Sequence, residues 1–153
     1  MLLHPDDQFH VGIVVHDFEA ARRWLTDTFG YEWGPDVQME YTMLLPDGPF
    51  TYQQRLQYSV TEPRLELVRS VAETPFQPSS SGLHHVGYWC DDVESTSRQL
   101  SAEGWSWECG GTFADGSPAW AYHFNLLGFR IELVSVGMKE VGIEQLWAPL
   151  TSA

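Results

Sequence analysis

Apolar and polar positions along this chain follow one scheme twice. The segment His10-Val11-Gly12-Ile13-Val14-Val15-His16-Asp17-Phe18-Glu19 aligns with His85-Val86-Gly87-Tyr88-Trp89-Cys90-Asp91-Asp92-Val93-Glu94. Five of the ten positions are identical, enough to read the two as copies of one unit. Each copy opens on a short apolar run suited to a buried strand. An aspartate follows, Asp17 or Asp92, where a helix N-cap belongs, with an acid two residues on where the helix dipole favours it. In the first copy, apolar residues then return at three- and four-residue steps: Phe18, Ala21, Leu25 and Phe29. The second helix, with Val93, Thr96 and Leu100, has a thinner apolar face. Gly30 and Gly104 stand where a glycine ends a helix.

Each copy closes on a matched strand, Leu65-Glu66-Leu67-Val68 or Ile131-Glu132-Leu133-Val134. Between helix and closing strand there is room for two more. In the first copy these are residues 38–45 and 51–60, turning at Pro46-Asp47-Gly48-Pro49. In the second they are residues 105–108 and 120–125, separated by a loop holding Gly110, Gly111, Asp115, Gly116 and Pro118. The pattern predicts an α+β fold of two tandem βαβββ modules, residues 1–73 and 83–136. A Pro- and Ser-rich linker at 74–82 and a C-terminal tail at 137–153 complete one structural domain.

Composition narrows the partners. The chain carries 8 Lys+Arg against 21 Asp+Glu, a net charge of −13, which repels phosphate backbones and anionic lipid. No nucleic acid or membrane partner is expected, and no apolar run approaches the ~20 residues of a membrane span. Residues 1–10 include Asp6 and Asp7 and lack the basic-then-apolar pattern of a signal segment, so a cytoplasmic location is expected. Cys90 and Cys109 belong to no CxxC pair and read as unlinked side chains. Seven Trp, six Tyr and eight Phe exceed what core filling needs and point to an aromatic cavity or an interface.

Against this background four residues stand out. A lone glutamate within Leu-Glu-Leu-Val would ordinarily face water, and a lone histidine at the head of a strand would ordinarily be a packed, hydrogen-bonded residue. Their repetition changes the balance: His10 and Glu66 in one module match His85 and Glu132 in the other. Modules packed sheet beside sheet about a two-fold axis bring both pairs to one centre. Two imidazoles and two carboxylates suit one divalent ion, Zn, Ni, Co, Mn, Fe or Mg, and leave positions open for substrate. The chemistry expected there is Lewis-acid stabilisation of an enolate or enediolate oxygen, with a carboxylate moving the proton.

The His-Val-Gly openings and the LELV and IELV closings resemble the vicinal oxygen chelate superfamily, which includes glyoxalase I, methylmalonyl-CoA epimerase, extradiol dioxygenases and bleomycin-resistance proteins. The resemblance runs from His10 to about Val136, and Gly82-Leu83-His84-His85-Val86 with Asp91-Asp92-Val93 looks most like the epimerase/glyoxalase branch. It implies a cupped mixed sheet around a central metal site, with His10, Glu66, His85 and Glu132 as ligands. It also implies that Glu132 or Glu66 doubles as the base, and that the protein is a homodimer. Iron dioxygenases leave free the position that Glu66 fills here, so ring cleavage is the least expected activity. Resistance-type binders typically lack the metal set. A metal-dependent isomerase or epimerase acting on a small organic acid or thioester comes first, a glyoxalase-type lyase on a thiol–aldehyde adduct second, and a non-catalytic binding protein third.

Some epimerases carry a further acid on the first module's third strand, whereas residues 52–58 here carry none. Few basic residues are available to meet the phosphates of a nucleotide thiol cofactor. Arg55 is the candidate for a substrate carboxylate, and Trp120, Tyr122 and His123 are candidates for the pocket wall. His84, one residue before a ligand, is expected to face away from the centre in a structural role.

Overall fold

A computed structural model describes residues 1–151. After a short 3-10 turn at Pro5–Asp7 come β1 (Gln8–Val15), α1 (Phe18–Phe29), β2 (Val37–Leu45), β3 (Gly48–Tyr58) and β4 (Leu65–Arg69). The second module repeats the order as β5 (His85–Cys90), α2 (Val93–Ala102), β6 (Ser106–Thr112), β7 (Pro118–Phe124) and β8 (Arg130–Ser135). Two 3-10 helices, Val136–Lys139 and Ile143–Trp147, follow. The predicted caps form: Asp17 accepts from the Ala20 N–H and Asp92 from the Ser95 N–H, and Gly30 closes α1 in the left-handed conformation that suits a residue without a Cβ.

The strands run β1-β4-β3-β2-β6-β7-β8-β5 around a closed, strongly curved mixed sheet. Within each module the opening strand pairs in parallel with the closing one, β1 with β4 and β5 with β8. The modules join along antiparallel β1 and β5. On the opposite side β2 pairs with β6 at Leu44 and Gly110, and beside that bridge the Trp120 indole donates to the Tyr41 hydroxyl at 3.0 Å.

Alternation along these strands sorts side chains between the interior and the helices. Leu65 and Leu67 pack beneath α1 against Phe18 and Leu25, and Leu133 packs beneath α2 with Val93, Leu100 and Ala121. The inward neighbours Val14 and Val68 join Met43, Tyr52, Phe76, Cys109 and Tyr122 inside the sheet. Both cysteines are buried and unpaired.

Three expectations need correction. Gly110 and Gly111 lie within β6, paired with β7, rather than in a loop, and are glycines where a Cβ would come within 2.8 Å of the Trp120 carbonyl oxygen or 2.2 Å of its indole nitrogen. The β2–β3 turn is tighter than four residues: Leu45 already pairs with Gly48 across Pro46-Asp47. Residues 74–82 form no helix or strand, yet they are more than a spacer, since Phe76 is buried in the interior cluster.

Candidate metal centre

The pairings that build the sheet also assemble the four repeated residues. Gly12 is in register with Glu66 on one side and His85 on the other, and Gly87 is in register with Glu132 and His10. His10, Glu66, His85 and Glu132 therefore point into the cup from adjacent strands, and one chain supplies all four. Each is at least nine-tenths buried, so the reading of the two glutamates as water-facing is overturned. Burying a carboxylate costs several kcal/mol, more than the ~2 kcal/mol that a leucine at the same place would contribute. Stability alone does not account for these side chains.

One donor atom from each residue lies within 4.8 Å of the others. His10 Nε2 is 3.1 Å from His85 Nε2, 3.0 Å from Glu132 Oε2 and 3.5 Å from Glu66 Oε2. His85 Nε2 is 3.1 Å from Glu66 Oε2 and 3.3 Å from Glu132 Oε2. Donors ~2.1 Å from one ion and at right angles about it stand ~3.0 Å apart, close to these separations. Glu132 Oε2 is buried and accepts no hydrogen bond despite its short contact with His10, so the two atoms are aimed at a shared point rather than at each other.

Electrostatics agree with a cation at that point. Burial pushes His10 down, but the Glu132 and Glu66 carboxylates outweigh it and raise the imidazole to about 9. His85 is raised by the same two acids against the same burial penalty. Burial alone would lift Glu66, yet His10 and His85 hold its carboxyl well below the usual range. Two carboxylates thus call for positive charge. Meeting that demand with two imidazolium rings would set their N–H groups head to head across 3.1 Å. One divalent ion answers it without that clash, and the donor set fits such an ion.

The centre lies in the wall of a cavity of about 320 Å³ lined by Tyr41, Tyr58, Phe76, Trp120 and Tyr122 together with Glu66 and Glu132. The residues after β8 form its cover: Met138, Val141, Ile143 and Leu146 line it, so residues 138–146 are not a free tail. Burial pushes the Tyr58 and Tyr122 phenols well above their ordinary range, leaving them neutral donors. Another hollow, about 380 Å³, lies outside the cup beneath α2 and contains none of the four donors.

Of the predicted pocket residues, Trp120 and Tyr122 line the cavity and two others do not. Arg55 sits outside it, bound to Asp36 at 2.7 Å and to Glu19, with its guanidinium over the Phe18 ring. His123 alternates outward from Tyr122 and contacts Ser97 Oγ of α2 at 2.7 Å. Tyr41 and Tyr58 were not legible as wall residues, because their strand alternation shows a buried face without showing which side of the sheet it occupies, and Phe76 lies in a segment with no periodicity to read. His84, expected to face away from the centre, is not one of the four donors, and its Nδ1 lies 2.9 Å from His85 Nδ1.

Comparison with known proteins agrees with this architecture. Residues 9–124 match the family model of the glyoxalase/bleomycin resistance protein/dioxygenase superfamily, and the chain belongs to that superfamily. A search of curated protein sequences finds no significant match. Among solved structures, the methylmalonyl-CoA epimerase from Mycobacterium tuberculosis aligns with a TM-score of 0.53 at 17% identity, covering 84% of this chain and 87% of that one. A variant of the Streptomyces coelicolor methylmalonyl-CoA epimerase, in complex with 2-nitronate-propionyl-CoA, aligns with a TM-score of 0.56 at 18% identity, covering 84% and 93%. A superfamily member from Vibrio splendidus aligns at 0.50 and 13% identity, covering 82% and 95%. At these identities the likeness is one of fold. No helix among the described residues is long and apolar enough to cross a membrane.

Proposed function

We propose that this chain is a divalent-metal-dependent enzyme of the isomerase or epimerase type, shifting a proton on the carbon beside a carbonyl. The observation that carries this reading is the convergence of two imidazoles and two carboxylates on one point in the wall of an aromatic cavity. A divalent ion held by His10, Glu66, His85 and Glu132 would supply Lewis-acid polarisation of a substrate oxygen. Glu132 is the base: it lines the cavity beside the centre, where a carboxylate can reach the proton on a substrate carbon. Glu66, kept ionised by His10 and His85, shares the centre, and Glu132 returns the proton it took. Tyr58 and Tyr122 offer neutral hydroxyls to oxygen-bearing groups, while Trp120 and Phe76 wall off water.

The wall also bears on substrate class. Its polar side chains are Gln54, the tyrosines and the two glutamates, and among its described residues no Lys or Arg is present to meet a phosphate. This favours a compact, largely apolar carbonyl compound over the coenzyme A esters held by the epimerases of similar fold. The test is exchange of substrate α-hydrogen with deuterated water across a panel of keto acids, esters and acyl thioesters, followed by NMR. Exchange in the metal-loaded wild type and its loss in Glu132→Gln are expected. No exchange with any member of the panel would overturn the reading. Tight ligand binding that survives a chelator would instead identify a binding protein.

A further inference from the structure

We propose that His84 is a positioning residue: through a relay anchored on a backbone carbonyl, it fixes which nitrogen of His85 faces the metal centre. The proposal rests on reading His10, Glu66, His85 and Glu132 as that centre. His84 Nε2 lies 2.7 Å from the Pro75 carbonyl oxygen. A carbonyl only accepts, so this contact places a proton on Nε2. In a neutral ring His84 Nδ1 is then bare, and its 2.9 Å contact with His85 Nδ1 requires the proton to sit on His85. His85 is left presenting Nε2, the atom 3.1 Å from both Glu66 Oε2 and His10 Nε2. The alternative, a doubly protonated His84, would be a buried cation with no carboxylate among its contacts.

The pseudo-symmetric partner has no such device. His10 Nδ1 is buried without a hydrogen-bond partner, and the residue before it is Phe9, whose ring meets the imidazole edge-on at 4.4 Å. Tyr58 meets the same imidazole edge-on at 5.5 Å, so on its Nδ1 side His10 is held by packing and not by a hydrogen bond. The two copies differ at the residue before the ligand, Phe9 against His84, and that difference gives the Nδ1 of one ligand ring a hydrogen-bond partner and leaves the other without one. The anchor comes from the segment joining the modules, so Pro75 acts through its backbone while Phe76, next to it, lines the cavity.

Two measurements on the full chain test this. The first is imidazole 15N NMR of the chelator-treated and Zn2+-loaded protein. His84 is expected to be protonated at Nε2 alone, with a scalar coupling across His85 Nδ1–H to His84 Nδ1. A proton on His84 Nδ1 in both states would overturn the proposal. The second is Zn2+ competition against a chromophoric chelator. His84→Phe is expected to lower affinity by roughly 10–100-fold, as loss of a ligand's outer hydrogen-bond partner does. His84→Gln, whose amide can accept from His85 and donate to Pro75, should restore most of it. Unchanged affinity in His84→Phe would also overturn the proposal. If the wild type binds no Zn2+, the metal reading fails, and the spectra of the metal-free chain still decide the relay.

Discussion

The imidazole of His85 fills the space that a side chain on Gly12 would need. A Cβ built at Gly12 would fall 1.9 Å from His85 Cε1, and one at Gly87 would fall 2.0 Å from His10 Cε1. The glycine of each His-Val-Gly motif thus serves the histidine of the other module. Gly12→Ala or Gly87→Ala must displace a ligand ring or spread β1 from β5. Overpacking of this kind costs ~1–3 kcal/mol. Each variant should unfold at lower denaturant concentration and lose Zn2+ affinity by more than the roughly 10–100-fold expected from a lost outer partner. Titration of Gly12→Ala with wild-type affinity would show that the ring has room to move.

Proton linkage gives a second prediction, for the metal-free chain. Burial lowers His10, but Glu132 and Glu66 prevail and raise it to about 9, above the ~6.5 of an unfolded histidine. The stabilisation from this ring is fully present below pH ~6.5 and is lost as pH rises through about 9. His84 works in the opposite sense. Burial, and then the neighbouring His85, press it down to about 3, so its contribution is lost as pH falls from ~6.5 towards that value. Metal-free protein should therefore be most stable near neutrality and weaken towards pH 9. Urea unfolding across pH 5 to 9.5 checks this, and stability that climbs steadily above pH 7 would contradict it. Because a metal must displace the His10 proton, affinity should rise with pH over the same window.

Much of this was readable from the sequence for a specific reason. Repetition turned weak local signals into paired ones: neither His10 nor Glu66 stands out alone, but each has an equivalent in the second copy. Strand alternation then placed Glu66 and Glu132 opposite the leucines that pack beneath the helices. Features lacking a counterpart in the other copy stayed hidden. Phe76 sits in a Pro- and Ser-rich segment with no periodicity, and Ile143 and Leu146 follow the last repeat, so nothing local marked them as cavity walls. Gly110 and Gly111 carry turn chemistry in sequence but serve close approach in space, which only the facing Trp120 reveals.

Arg55 shows the same limit from the other side. It lies on the strand expected to border the cavity, yet its guanidinium is spent on Asp36 and Glu19, a choice set by residues distant in sequence. Arg55→Met should therefore act on stability rather than on the site. Loss of a partly buried, doubly paired guanidinium should cost on the order of 1–3 kcal/mol. Zn2+ affinity and any kcat/KM ratio should stay within about twofold of wild type, because no cavity contact is removed. A selective rise in KM with unchanged stability would return Arg55 to the substrate site.

Phe76 is where cover, cavity and relay meet. Its ring is buried to 4% exposure and packs near Tyr52, Trp120, Tyr122 and His84, with centroids 5.5–6.4 Å away. Phe76→Ala removes a wall of the cavity and should cost about 3–5 kcal/mol by urea denaturation. The space left behind is apolar, and an apolar void of that kind stays dry and takes up small apolar molecules. Benzene or a similar ring should then raise the melting temperature of Phe76→Ala and leave the wild type unmoved. Phe76→Leu should recover a large part of the stability without reopening the site. A loss below ~1 kcal/mol in Phe76→Ala would mean that residues 74–82 do no more than connect the two modules.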